Sequence, residues 1–137
     1  MKVIFDVNIW VSFAIGKRLS VLKDILKQKD ITVYCCDELL TEFAETSHKS
    51  SLQKYLSPER TIETIELIKN FTTWAKIKQI IAISRDTNDD YLLALSKRVR
   101  ANYLVTGDKD LLVLKQYGRT QIITFATFVE ILTPTQK

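Results

Sequence analysis

The sequence predicts an α/β fold: a parallel central sheet of about five strands with helices on both faces. Two observations carry that expectation. Short runs rich in Val and Ile, apolar at consecutive positions, recur along the chain, the pattern of strands buried on both faces. Longer stretches with apolar residues at helical spacing lie between them, and parallel strands need such crossovers. Only three Gly and two Pro occur in 137 residues, which leaves little material for linkers. The whole of 1–137 therefore reads as a single domain without internal repeats or low-complexity tracts.

The predicted strands are Val3–Phe5, Ile31–Cys35, Ile80–Ile83, Tyr103–Val105 and Gln121–Thr124. Between the first two, Val11–Lys29 reads as a helix through Leu19, Leu22, Ile25 and Leu26. Asp37 is placed to cap a helix whose apolar face is Leu39, Leu40 and Phe43. Ser57–Pro58 is a cap followed by proline in the first turn, opening a helix with Ile62, Ile65, Ile68 and Phe71 on one side. Thr87–Asp90 starts another, carrying Leu92, Leu93 and Leu95. Asp108 opens a short helix through Leu114, and Ala126–Leu132 forms the last.

Composition narrows the function. A hydrophobic fraction of 46% and a charged fraction of 26% are those of an ordinary globular chain, long enough to bury a core without disulfides or a structural metal. The net charge of +4 is a mild lean toward a polyanionic partner. Cys35 and Cys36 are adjacent and His48 is the sole histidine, which argues against a disulfide framework and against a Cys/His zinc site. Reduced cytosol suits such cysteines. Asp6 and Asn8 interrupt the apolar N-terminus, only Lys2 precedes it, and no run reaches the roughly 18 apolar residues of a membrane span. A soluble cytoplasmic protein without a membrane partner is expected.

The acids carry the functional signal. Asp6 directly follows the first predicted strand, and Asp108 follows Tyr103–Val105 after only Thr106 and Gly107. Ligands of open α/β sheets bind at the carboxyl ends of strands, so acids just past two strand ends are placed to meet there. Asp89, in the first turn of a helix after another predicted strand, belongs to the same edge, and Glu42 lies on the helix after the second strand. Converging carboxylates repel unless cations or protons neutralise them. Oxygen donors without nearby His or Cys suit Mg²⁺ or Mn²⁺. Such a site activates water and stabilises charge on a phosphoryl group, which makes a phosphodiester the natural substrate.

The opening VIFDVN, the acid within CDELLTEF, the helix start NDDYLLALS and the segment YLVTGDKDLL together resemble the PIN-domain family, most closely the bacterial toxin components of toxin–antitoxin pairs, the VapC-like ribonucleases. The motifs recur in the family's order from residue 1 to about 130. The resemblance implies a Mg²⁺- or Mn²⁺-dependent endoribonuclease with an RNA substrate, a cognate antitoxin and a homodimeric state. Its acids fall on Asp6, Glu42, Asp89 and Asp108, with Asp6, Asp89 and Asp108 as metal ligands. Asn8 matches the polar residue two past the first acid, and Thr106 the hydroxyl before the last. Asp89 is preferred to Asp90 because Leu92, Leu93 and Ser96 then occupy the family's apolar and small positions. Asp90 and Asp110 are assigned supporting roles. Val7 stands where many relatives carry threonine, and is expected to point into the sheet.

Each residue also has a plainer reading. Asp108 could cap the following helix, and Asp90 could form a capping box with Thr87. Glu42 shares a helix face with Glu38 and Glu45, a row that is usually solvated. Asn8 could hold Asp6 in one rotamer. Lys97, Arg98 and Arg100 sit at a helix C-terminus, where cations are favoured in any case. Trp10 and Phe13 read as core or dimer contacts, and His48 as an exposed residue. Three other readings compete, one being cleavage of DNA rather than RNA, since the choice of RNA rests on the resemblance alone. A haloacid-dehalogenase-like phosphatase would use a strand-end Asp as nucleophile, but it commonly wants a second acid where Asn8 stands. A non-catalytic nucleic-acid-binding module of the same fold is the third, and retention of all four acids argues against it.

Overall fold

Val3, Ile4 and Phe5 are each fully buried, so both faces of the first strand are covered and the sheet grows outward from it. The computed structural model describes residues 1–16, 18–78 and 90–133. Within these, β1 (Lys2–Phe5), β2 (Thr32–Cys35), β3 (Thr73–Trp74), β4 (Tyr103–Val105), β5 (Gln116–Tyr117) and β6 (Thr120–Ile123) form a sheet of order β3-β2-β1-β4-β6-β5. All neighbours are parallel except the β5–β6 edge pair. The helices are α1 (Val7–Ile15), α2 (Leu19–Leu26), α3 (Asp37–Ser47), α4 (Pro58–Phe71), α5 (Asp90–Val99), α6 (Lys109–Leu112) and α7 (Phe125–Leu132).

The mostly parallel sheet flanked by helices is the expected fold class, with local corrections. β3 and β5 are strands that sequence reading misses, each only 2 residues long. β5 turns back on β6 through Gly118–Arg119, with Gly118 at φ +59°, the positive angle a tight hairpin requires at its first loop position. β3 is fastened by the Ala75 N–H to the Cys35 carbonyl (2.9 Å) and by the Trp74 indole to Asp37 Oδ1 (2.7 Å). The last strand ends at Ile123 rather than Thr124, because Thr124 caps α7 by accepting from the Thr127 amide. The predicted strand Ile80–Ile83 and the helix start Thr87–Asp89 lie outside the described residues.

The helix read as Val11–Lys29 is two helices. α1 starts four residues earlier than predicted, at Val7, because Asp6 caps it, and it ends at Gly16. Asp37 does not cap α3 but is its first residue, and Cys36 holds the cap position without a side-chain bond. Ser57 caps α4 as expected, accepting from the Arg60 amide. The buried side of α4 is rotated from the predicted one. Ile62 and Phe71 are exposed, while Thr61, Thr64, Leu67 and Ile68 face inward. Thr64 can be buried there because its hydroxyl donates to the Arg60 carbonyl at 2.8 Å.

Aromatic rings lock α1 and α7 against β1. Phe5 meets Trp10, Phe13 and Phe128 edge-on, with centroids 5.5, 5.8 and 5.6 Å away, and Phe13 meets Phe125 at 5.2 Å. Trp10 and Phe13 are therefore core residues. α5 packs against β1 and β4. Among the described residues no helix is long and apolar enough to cross a membrane.

Candidate active site at the carboxyl edge of the sheet

The pairing of β1 with β4 sets Phe5 beside Val105, so the residues that follow, Asp6 and Thr106, leave the sheet side by side. The Asp6 amide extends the ladder by donating to the Val105 carbonyl (2.9 Å), and its own carbonyl accepts from Ile9 (2.9 Å) as α1 begins. Asp6 is thus fixed from both sides by backbone. Its carboxylate accepts from the Asn8 amide at 3.4 Å and from the Thr106 hydroxyl, Oγ1 to Oδ2, at 2.5 Å. Thr106 Oγ1 in turn accepts from the Asp108 amide at 3.0 Å. One buried hydroxyl therefore links the acid after β1 to the loop carrying the acid after β4.

Asp108 is half-buried and caps α6, accepting from the Asp110 amide at 2.8 Å. The capping reading and the edge reading of Asp108 are both satisfied by one side chain with two carboxylate oxygens. Glu42 separates from its row: Glu38 and Glu45 are exposed, whereas Glu42 is half-buried and accepts a short hydrogen bond from the buried Tyr91 hydroxyl. Glu38, Thr41, Glu42, Glu45, Asp37 and Tyr91 line an open cleft of about 510 Å³.

The electrostatics tie these acids together. Burial pushes the Asp6 carboxyl above the usual carboxylate range; the Thr106 and Asn8 bonds pull it back, and the neighbouring Asp108 charge raises it again. Burial likewise raises Glu42, the Tyr91 bond opposes that, and the Asp6 charge adds to it. Tyr91 is raised by burial and by its carboxylate partner, so it stays a protonated donor. The Cys35 and Cys36 thiols are pushed up to about 12, chiefly by burial, and remain neutral. His48 is exposed, with Nδ1 2.7 Å from the Ala44 carbonyl.

Asp6, Thr106, Asp108 and Glu42 therefore share one electrostatic neighbourhood. Asn8 reaches Asp6 through its backbone, while the residue itself is exposed. Asp110 contributes its amide, and Asp90 is buried at the first position of α5. Asp89 lies outside the described residues. Among the described residues no three His, Cys, Asp or Glu side chains are grouped to hold a metal ion. The donors that do converge are all oxygen, the chemistry that suits a hard divalent cation. Tyr91 is the residue that sequence reading missed. Its signal is a lone phenol in the otherwise apolar helical run YLLAL, since a buried Tyr hydroxyl usually has a partner.

A mostly parallel α/β sheet with carboxylates gathered past the ends of adjacent strands is the architecture of a PIN-like fold. The chain belongs to the PIN-domain family, whose model matches residues 2–110, and whose members are generally nucleases. No curated protein matches it. Among solved structures it is similar to a chain in VapBC2 from Rickettsia felis bound to a DNA fragment from their promoter. The two are 14% identical with a TM-score of 0.56, covering 89% of this chain and 97% of that one. At that identity the likeness is one of fold.

Proposed function

We propose that this chain is a metal-dependent endoribonuclease that hydrolyses RNA phosphodiester bonds, and that it is the toxin of a type II toxin–antitoxin pair. The observation that carries the chemistry is the Thr106 bridge between Asp6 and Asp108, with Glu42 feeling the Asp6 charge from a third element. Asp6, Asp108 and, by motif position, Asp89 would hold Mg²⁺ or Mn²⁺, with Glu42 oriented toward its waters. Two or three carboxylates suffice for such an ion, because Mg²⁺ keeps several waters and shares its shell with substrate phosphate. When bound, the ion supplies charge neutralisation at the phosphodiester and acidifies water. The chain's own part is to orient: the Thr106 hydroxyl holds Asp6 Oδ2, the Asn8 amide donates to Oδ1, and Tyr91 fixes Glu42. Family membership favours this reading over a phosphatase that would use Asp6 as nucleophile.

The toxin assignment rests on the motif resemblance to VapC-like components and on the VapBC2 fold neighbour. It brings with it a cognate antitoxin, a homodimer, a single PIN domain over 1–137 and a cytoplasmic location. Purified protein incubated with RNA should cleave it in Mg²⁺ or Mn²⁺ and stop in chelator. Cleavage that continues undiminished in excess EDTA would overturn the carboxylate mechanism. Growth arrest on expression, relieved by the product of an adjacent gene, tests the toxin role separately.

A further inference from the structure

At the opposite edge of the sheet, where β4 and β6 begin, Lys97, Arg100 and Arg119 face one cleft of about 480 Å³ together with Ser96, Tyr117 and Thr120. Two cations come from the end of α5 and its exit, and the third from the β5–β6 hairpin, 19 residues further along from Arg100. The Ser96 and Thr120 hydroxyls of this cleft are already used. Ser96 Oγ donates to the Leu92 carbonyl at 2.8 Å and Thr120 Oγ1 to the Ala101 carbonyl at 2.7 Å. Among the described residues the three cations make no ion pair; the pair found there is Lys23–Glu63, elsewhere on the surface.

Arg100 adds an independent observation. Its φ is +57°, the left-handed region that ends helices and that glycine or asparagine adopts with least strain. Arginine gains nothing from that turn over glycine, so the turn does not by itself explain why arginine stands there. Helix-end electrostatics accounts for Lys97 and for part of Arg100. It does not account for Arg119, which comes from a separate hairpin.

We infer that this cleft is a phosphate-binding exosite that grips the backbone of single-stranded RNA away from the cleavage centre. Two guanidinium groups and an ammonium on one concave surface are the chemistry that clamps phosphate oxygens. Tyr117, half-buried, lines the same cleft and is the aromatic there on which a base would stack. α5 runs from the acidic edge to this cleft, and its 10 residues span about 15 Å at the usual helical rise. A strand of several nucleotides reaches both ends, whereas a trinucleotide seated on the acids does not. The inference takes its substrate class from the ribonuclease reading, but its test does not depend on cleavage.

Binding of a fluorescent single-stranded RNA dodecamer is measured by anisotropy in EDTA, over a range of salt. The combined variant Lys97→Gln, Arg100→Asn, Arg119→Gln removes the charges while leaving a residue that accepts the left-handed turn. Its Kd should rise at least tenfold, and its salt slope should fall by about 2, since each single-strand phosphate contact contributes roughly 0.7. The pair Arg100→Lys, Arg119→Lys, which keeps charge, should retain most of the affinity, and equal melting temperatures establish that the variants are folded. In Mn²⁺, KM for the dodecamer should rise with kcat little changed, and trinucleotide cleavage should be unaffected. A wild-type Kd and salt slope in the charge-removed protein overturns the exosite, whatever the cleavage assay gives. RNA binding that depends on these residues without any cleavage upholds it and instead removes the nuclease reading.

Discussion

The Thr106 hydroxyl donates to Asp6 at 2.5 Å from 100 residues further along the chain, and both groups are buried: Thr106 is 0% and Asp6 4% exposed. A buried carboxylate with one strong donor removed becomes harder to ionise, and a protonated Asp6 is a poor cation ligand. Thr106→Val keeps the shape and deletes the donor, so it should weaken Mn²⁺ activation about tenfold to a hundredfold, the equivalent of the roughly 1.5–3 kcal/mol of a hydrogen bond to a charged group. Thr106→Ser should recover most of it. The reading is the Mn²⁺ concentration for half-maximal cleavage. If valine and threonine proteins titrate alike, the hydroxyl does not prepare Asp6.

Tyr91 and Glu42 make the corresponding pair on the α3 side. Tyr91→Phe leaves the ring in the core and takes away the donor, so cleavage should drop about tenfold while the melting temperature changes little. Glu42→Gln should show a larger loss. The two substitutions combined should cost less than their sum, because both act through one contact. Strict additivity would mean that Tyr91 serves the core alone.

Stability should hinge on the aromatic cluster rather than on the acids. Phe128 is fully buried and stacks edge-on with Phe5 at 5.6 Å and near Tyr103 at 6.3 Å. Phe128→Ala should cost about 3–5 kcal/mol in urea unfolding, the usual range for an aromatic truncated in a core. A cost below 1 kcal/mol would show α7 to be only loosely held.

What the sequence revealed of this molecule follows from what local pattern encodes. β1 and β4 were legible because they are buried on both faces, and an apolar triplet such as Ile4, Phe5 and Val3 has no other comfortable place. β3 and β5 were not, since a pair of residues is too short for any period to register, and their pairing is decided by partners such as Asp37 for Trp74. The inward face of α4 escapes a reading by apolar spacing because Thr61 and Thr64 look solvent-facing, although both are buried and the Thr64 hydroxyl is satisfied by its own helix. Of the site, the strand-end position exposed Asp6 and Asp108 to sequence reading. Glu42 needed the family pattern, since its row with Glu38 and Glu45 has nothing local to distinguish it. The Tyr91 bond joins residues 49 apart, a distance over which no spacing rule operates.

The final prediction separates function from fold at Asp6. Burial holds this carboxyl above the usual carboxylate range, with the Asp108 charge adding to it. A group whose pKa is higher in the folded than in the unfolded chain keeps its proton longer when folded. Metal-free protein is therefore most favoured by this group below the ordinary carboxylate pKa. It loses that advantage as pH rises from there through the raised folded value, and at neutral pH the cost of the buried charge is fully present. Asp6→Asn keeps the size, an acceptor for Thr106 and a good N-cap for α1, but never ionises. Without metal, the variant should match wild type at acid pH and become equally or more stable as pH rises through that window. Cleavage should be abolished. Mn²⁺ should raise the wild-type melting temperature by mass action on the folded state, and that of the variant far less. An Asp6 needed for folding forecasts the reverse: earlier melting of the metal-free variant at every pH, with its manganese response intact. Thermal scans across pH, with and without Mn²⁺, decide between the two.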